Sequence, residues 1–279
     1  SNKSVLINFV VVSSYLTMHS KYKRRLKNTR LIYKIAVPLL ILFLLFVFWF
    51  VIFRNHTIER FKQLQSIQDD NTIFYDIDQQ PFHVIRGTED RRYVKIEQIN
   101  KNLQMAAVAI EDSRYFQHIG IDVMRMGDAL LRIITFNANL HGASTITQQL
   151  IKMTLLSPER TFNRKITEIF MAMALETAFS KIQILELYLN KVYMGHRNFG
   201  VENVSLNYFH KSAKHLTLAE SAFVAGLIKK PEGYSPFVNL KKARKRQVLV
   251  LKRMLQLDWI SSAQYQQAVN ESLYIRRNK

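Results

Sequence analysis

The sequence contains no cysteine. Disulfides, thiolate catalysis and cysteine-ligated metal sites are excluded together. The compartment is not fixed by this absence. There is no internal repeat and no low-complexity tract, and 279 residues suffice for one large domain or two small ones. Acid is scarce. Asp and Glu number 21 against 40 Lys and Arg, a formal charge of +19. Such a charge attracts nucleic acid, anionic lipid or phosphate-bearing substrates without choosing among them. Two clusters carry much of it: residues 1–34 hold eight Lys or Arg and residues 241–253 hold seven, neither with an acid.

A second absence is local. Residues 35–53 are 19 residues without a charge. A membrane-spanning helix needs about 20 apolar residues, and Trp49 and Phe50 suit an interface near its far end. The run lacks the small-residue cleavage site of a signal peptide. It reads as a transmembrane helix. By the positive-inside rule, residues 1–34 are a basic cytoplasmic tail and the chain from about 54 onward lies outside. That placement leaves nucleic acid without a case. Residues 54–95 read as a lead-in: a polar helical linker, then a small β-hairpin from residues 72–75 and 82–85, with residues 91–94 as a further strand. Beyond Ile96 the pattern is almost wholly helical, so the fold class is mainly α and residues 96–279 form the domain for chemistry.

In that domain Leu103, Met105, Ala106, Ala107, Val108, Ala109 and Ile110 lead into Glu111 and Asp112, followed by Arg114, Tyr115, Phe116, His118 and Gly120. A carboxylate directly after an apolar helix is partly desolvated and a better base. Read alone, the stretch is equally a helix end with two solvated charges. Next, Gly142 leads to Ser144 and Thr145, and Thr145 with Gln148 has capping-box spacing. Helix N-termini suit phosphate. Thr145, Gln148 or Gln149, and Lys152 share one face there, a diphosphate cradle or an ordinary polar face. Ser157-Pro158 signals another helix start, with Ile166, Phe170 and Met173 as its buried stripe. Arg164 and Glu168 lie four apart. They are either a surface ion pair worth about 0–1 kcal/mol or a second carboxylate in a basic setting. Ser180 with Gln183, and Thr217 with Glu220, cap two more helices, and Glu186 reads as an orienting or packing residue. The basic helix from Asn239 places Val248, Leu251 and Leu255 on one side, with its cations in water or on anionic headgroups.

In order and spacing these stretches resemble the family 51 glycosyltransferases, peptidoglycan polymerases found as monofunctional enzymes and as the first catalytic domain of class A penicillin-binding proteins. Glu111-Asp112 with Tyr115-Phe116, His118 and Gly120 looks like the first family motif, residues 142–152 the second, Arg164-Lys165-Ile166-Thr167-Glu168 the third and residues 184–190 the fourth. The similarity runs from about Thr72 to Met254. It implies a lysozyme-like catalytic domain beside a bacterial cytoplasmic (inner) membrane, single-pass, with the N-terminus cytoplasmic. It implies polymerisation of lipid II. The lipid II acceptor attacks a growing glycan chain carried on undecaprenyl diphosphate, with inversion to a β-1,4 bond.

The resemblance assigns Glu111 as general base and Glu168 to the leaving diphosphate, directly or through a divalent cation (Mg or Mn). It names no metal ligand among the protein's residues and no cofactor beyond that cation. Asp112 supports the base. His118, Ser144, Thr145, Gln148, Gln149, Lys152, Arg160, Arg164 and Lys165 join it as substrate- or diphosphate-binding residues. The implied partners are lipid II, the glycan chain, membrane lipid and other cell wall synthesis and division proteins, with no nucleic acid. Three features depart from the pattern. Tyr115-Phe116 reverses the usual order, Met153 replaces the usual Asn, and the loop from His196 to Phe199 is less typical. The chain reads as monofunctional or as the first part of a bifunctional protein, whose lead-in the hairpin resembles. A glycan hydrolase with paired carboxylates and a non-catalytic scaffold are the competing classes.

Overall fold

The computed structural model describes residues 34–63, 72–75, 81–85, 92–136, 144–159 and 161–276. Residues 1–33, 64–71, 76–80 and 86–91, Gly142 and Arg160 lie outside them. By contact the chain divides into Ser1–Phe53 and Arg54–Lys279.

In the first unit, helix α1 (Lys34–Gln63, running on into the second unit) is long and apolar enough to cross a membrane. Its charge-free 19 residues rise about 28 Å at about 1.5 Å each, close to the hydrocarbon thickness of a bilayer. Leu42 and Phe48 are 61% and 67% exposed, and apolar side chains point outward all round the helix. Such a helix is built for surroundings other than water.

In the second unit the last turns of α1 are packed, where a linker was expected. Thr57, Ile58 and Phe61 are buried, and the Phe61 ring meets Phe179 edge-on at 5.5 Å. Arg54 Nε donates to Thr177 Oγ1 at 2.5 Å. Strands β1 (Thr72–Tyr75) and β2 (Pro81–Ile85) pair antiparallel, with Ile73 opposite Val84. The further strand expected over 91–94 does not form across residues 92–94. Its backbone finds a side chain instead: Val94 N–H donates to Asn190 Oδ1 and Asn190 Nδ2 donates to Val94 O, both at 2.9 Å. One amide satisfies what a strand partner would.

The rest is helical: α2 (Lys101–Glu111), α3 (Val123–Phe136), α4 (Ile146–Thr154), α5 (Phe162–Glu176), α6 (Lys181–Lys191), α7 (Val201–Phe209), α8 (Leu218–Leu227), α9 (Pro236–Gln256) and α10 (Ser262–Asn270). The core is built round α8, buried from Ala219 through Leu227. A helix apolar on nearly every side must be enclosed. Here α2 and α9 enclose it, and α4 packs on α5 and α6. Small residues on the facing helices, Ala106, Ala107, Ala222 and Ala225, are fully buried and let the axes approach.

Two helices differ from the expected pattern. Helix α5 starts at Phe162, because Thr161, not Ser157, supplies the cap by accepting from Arg164 N–H at 3.2 Å. Its buried stripe is Glu168, Met171, Ala172, Ala174 and Leu175, while Ile166 is 38% exposed. Helix α9 starts at Pro236 and breaks its regular geometry at Asn239 (φ −157°, ψ 89°). It buries Ala243, Arg246, Gln247, Val250, Leu251 and Met254. Its cations therefore do not form one solvated face.

Candidate active site

Helix α2 ends at Glu111, and its buried alanines and Leu103 aim that end into the second unit. The Glu111 side chain is 12% exposed. Gln149 Nε2 donates to its Oε2 at 3.0 Å. Tyr188 donates its hydroxyl to Gln149 Oε1 at 3.0 Å, which fixes the amide with its NH2 toward the carboxylate. Burial, and then the charges of Glu111 and Asp112, hold the Tyr188 phenol far above its usual range, so it stays a donor. The other Glu111 oxygen, Oε1, lies 3.9 Å from Arg246 Nη2.

Asp112 is fully buried and ties the turn to α4. It accepts from Ile146 N–H, in the first turn of α4, at 3.0 Å, where a helix N-terminus favours a carboxylate. His118 Nε2 sits 3.0 Å from its Oδ2. Lys181 Nζ lies 3.4 Å from His118 Nδ1 and donates to Glu176 Oε1 at 2.8 Å. An ammonium beside Nδ1 needs the lone pair there, which assigns the imidazole proton to Nε2 facing Asp112. Thr147 donates to the same Glu176 oxygen at 2.5 Å. This buried chain joins α2, α4, α5 and α6.

Around it the motif residues separate into two kinds. Gly120 has φ +79°, and a Cβ there would stand 2.6 Å from the Ala172 carbonyl carbon and oxygen. Only glycine allows this turn to rest on α5. Tyr115 is buried and donates to Lys181 O at 2.7 Å, whereas Phe116 is 57% exposed. The reversed aromatic order thus puts the hydroxyl inside, where it has a partner. Asp122 would be raised by burial, but hydrogen bonds from Arg114 and the Arg125 amide hold it below the usual carboxylate range. It anchors Arg114 bidentately, both bonds 2.9 Å.

Helix α4 has the expected capping box, and this box consumes part of the expected cradle. Thr145 Oγ1 donates to Gly120 O at 2.7 Å and accepts from Gln148 N–H, while Gln148 Oε1 accepts from Thr145 N–H. Both side chains are buried. The polar face expected from Thr145 to Lys152 is therefore reduced to Gln149, committed to Glu111, and Lys152. Lys152 is exposed and pairs with no described residue.

The second carboxylate belongs to a different setting. Glu168 is 2% exposed. Arg164 Nη1 donates to its Oε2 at 3.0 Å and Lys165 Nζ contacts its Oε1. Lys165 also donates to Ser144 Oγ at 2.9 Å. The structure thus brings Ser144, Arg164, Lys165 and Glu168 together as one cluster at the head of α4 and α5. This carboxylate orients two cations; its oxygens are occupied by them. Among the described residues no three His, Asp or Glu gather to hold an ion. A protein-built divalent site does not fit Glu168, whose neighbours are cations.

Several residues here were not singled out from sequence: Arg125, Glu176, Lys181, Tyr188 and Arg246. Two carried a signal. Lys181 stands in the first turn of α6, where a cation opposes the helix dipole and calls for an acid partner. Arg246 falls in the inward stripe of α9, between Ala243 and Val250. Glu186 holds the incoming chain, accepting from Ile96 N–H at 2.7 Å and from Tyr93 at 2.5 Å.

Residues 78–255 match the family model described as Transglycosylase. Penicillin-binding protein 1A of Neisseria lactamica is 42% identical over 193 residues, 69% of this chain and 24% of the relative. Penicillin-binding protein 1A of Vibrio cholerae serotype O1 is 42% identical over 182 residues, 65% of this chain and 22% of the relative. The chain spans about a quarter of the length of these relatives. The crystal structure of penicillin-binding protein 1A from Haemophilus influenzae aligns with a TM-score of 0.42 at 25% identity, over 74% of this chain and 21% of that chain.

Proposed function

The chain belongs to the transglycosylase family, and on that premise we propose that it is a peptidoglycan glycosyltransferase polymerising lipid II into β-1,4 glycan strands. The observation that carries this reading is the pair of glutamates in opposite settings, both tied to the head of α4. Glu111 receives a neutral amide from Gln149 on one oxygen and has 12% of its side chain open. Glu168 is enclosed by Arg164 and Lys165.

The proposed reaction uses them differently. Glu111 takes the proton of the acceptor's GlcNAc 4-hydroxyl as that oxygen attacks the donor's anomeric carbon. The bond to the diphosphate breaks on the opposite side, the configuration inverts, and undecaprenyl diphosphate departs. Leaving builds negative charge, which fixed cations stabilise in a water-poor site. Arg164 and Lys165, oriented by Glu168 and Ser144, supply those charges, with Lys152 and Arg160 as further diphosphate ligands. Asp112 and His118 hold the turn that carries the base, while Thr145 and Gln148 shape the α4 end by capping it.

The rest of the assignment belongs to the same proposal. The second unit is a lysozyme-like catalytic domain with β1 and β2 as its hairpin lead-in. Helix α1 spans the bacterial cytoplasmic membrane once, with the basic tail in the cytoplasm and the catalytic unit outside. Membrane lipid and other cell wall synthesis and division proteins are its partners. The test is incubation of the detergent-solubilised protein with labelled lipid II. A ladder of lengthening glycan products is expected. Release of sugars from finished peptidoglycan, with no polymer from lipid II, would replace the reading by a hydrolase.

A further inference from the structure

We propose that Arg246 is a positioning residue for the base Glu111, acting from α9; this rests on the glycosyltransferase reading above. Arg246 lies 135 residues along the chain from Glu111 (246 − 111) and sits inside a run of cations. It nevertheless turns inward, with a side chain 8% exposed. Its Nε donates to Gly226 O at 3.4 Å, and its guanidinium carbon stands 5.7 Å from the Tyr234 ring centroid. A Cβ at Gly226 would lie 3.2 Å from Arg246 Cγ, so the glycine leaves room for the arginine stem. These contacts fix the direction of the guanidinium, and Nη2 ends 3.9 Å from Glu111 Oε1.

Two other arginines hold the same turn by its frame. Arg125 Nη1 donates to Glu111 O at 2.8 Å, and Arg253 Nη2 donates to Ser113 Oγ at 2.9 Å. Arg125 therefore holds the backbone of the turn and Arg253 a hydroxyl side chain on it, while Arg246 with Gln149 fixes the carboxylate, one addressing each oxygen. Stability alone is a weak reason to bury an arginine, since an apolar side chain of similar size often serves as well. A charge placed 3.9 Å from a carboxylate without a hydrogen bond orients it while leaving its lone pairs for a proton. A base displaced by about 1 Å can lose about a hundredfold in rate.

The test is steady-state polymerisation of lipid II by the full chain in detergent, with melting temperatures for each variant. Arg246→Gln is expected to lower kcat by about 10- to 100-fold while KM for lipid II stays near the wild-type value. Arg246→Lys keeps the charge but cannot hold Gly226 and reach Glu111 together, so its kcat falls less, again at unchanged KM. Lys245→Gln, on the exposed side of α9, keeps the wild-type rate. A folded Arg246→Gln with wild-type kcat overturns the proposal, as does a loss confined to KM or an equal loss in Lys245→Gln. If Arg246→Gln does not fold, Arg246→Lys decides: a reduced kcat upholds the proposal and a wild-type kcat overturns it. Glu111→Gln separates the two readings. Full activity in that variant removes Glu111 as the base and the positioning role with it, whereas absence of polymer from the wild-type chain sinks the functional reading itself. An inert Glu111→Gln beside a fully active Arg246→Gln sinks the positioning role alone.

Discussion

Glu168 illustrates how much one buried side chain decides. Both its oxygens face cations, and removing its charge leaves Arg164 and Lys165 close together without compensation. Breaking a fully buried pair costs about 3–5 kcal/mol. Lys165 is 38% exposed, so water screens part of that loss. Glu168→Gln is expected to cost about 1–3 kcal/mol in a urea titration and to weaken binding of a diphosphate-bearing substrate analogue. At this scale the sequence was readable where partners lie close in the chain. Arg164 and Glu168 are four apart, and their pairing followed from helix geometry. Arg246 and Glu111 share no local pattern, and a cation run conceals which member points inward.

Helix α4 shows the same division between local and distant information. Its capping box was legible because cap residues speak to their own backbone. That Thr145 Oγ1 would also be spent on Gly120 O was not legible, since that carbonyl arrives from another segment. The α5 start was misplaced because Ser157-Pro158 and Thr161 are both acceptable signals, and packing chose the second. The missing strand at residues 92–94 follows the same rule: Asn190, remote in sequence, supplies the hydrogen bonds. The element-level prediction concerns Gly120. Alanine there would carry a Cβ into the α5 backbone at 2.6 Å and would adopt φ +79°. Overpacking and left-handed strain together cost about 3 kcal/mol. Gly120→Ala should lower the urea midpoint accordingly at an unchanged slope, and an unaltered midpoint would mean the turn does not rest on α5.

For the whole second unit, buried phenols set the alkaline limit. Burial is the first cause in each case: Tyr208 is pushed up to about 12, and Tyr115 and Tyr188 are raised as well. An unfolded phenol titrates near 10. Above that pH the unfolded chain releases protons that the folded chain keeps. Stability therefore falls as pH rises from about 10 toward 12, by about 1.4 kcal/mol per pH unit for each buried phenol, and has no such slope below 10. Urea titrations between pH 9 and 11 should show it, with Tyr208→Phe flattening one share. The broad architecture was legible at this scale because hydropathy and charge are properties of composition. A charge-free run became α1 and the apolar stretch at 218–227 became the enclosed α8. The assembly of the turn at Glu111 by α3, α4 and α9 was not legible, since it exists only when the chain is folded.

The central claim is that Glu111 acts in the chemical step. The most direct measurement compares lipid II binding with lipid II turnover in wild type and Glu111→Gln, both folded and in the same detergent. A Kd for lipid II near the wild-type value is expected, with turnover lowered by about a hundredfold or more, the usual weight of a general base. A Glu111→Gln protein that elongates glycan at the wild-type rate would contradict it.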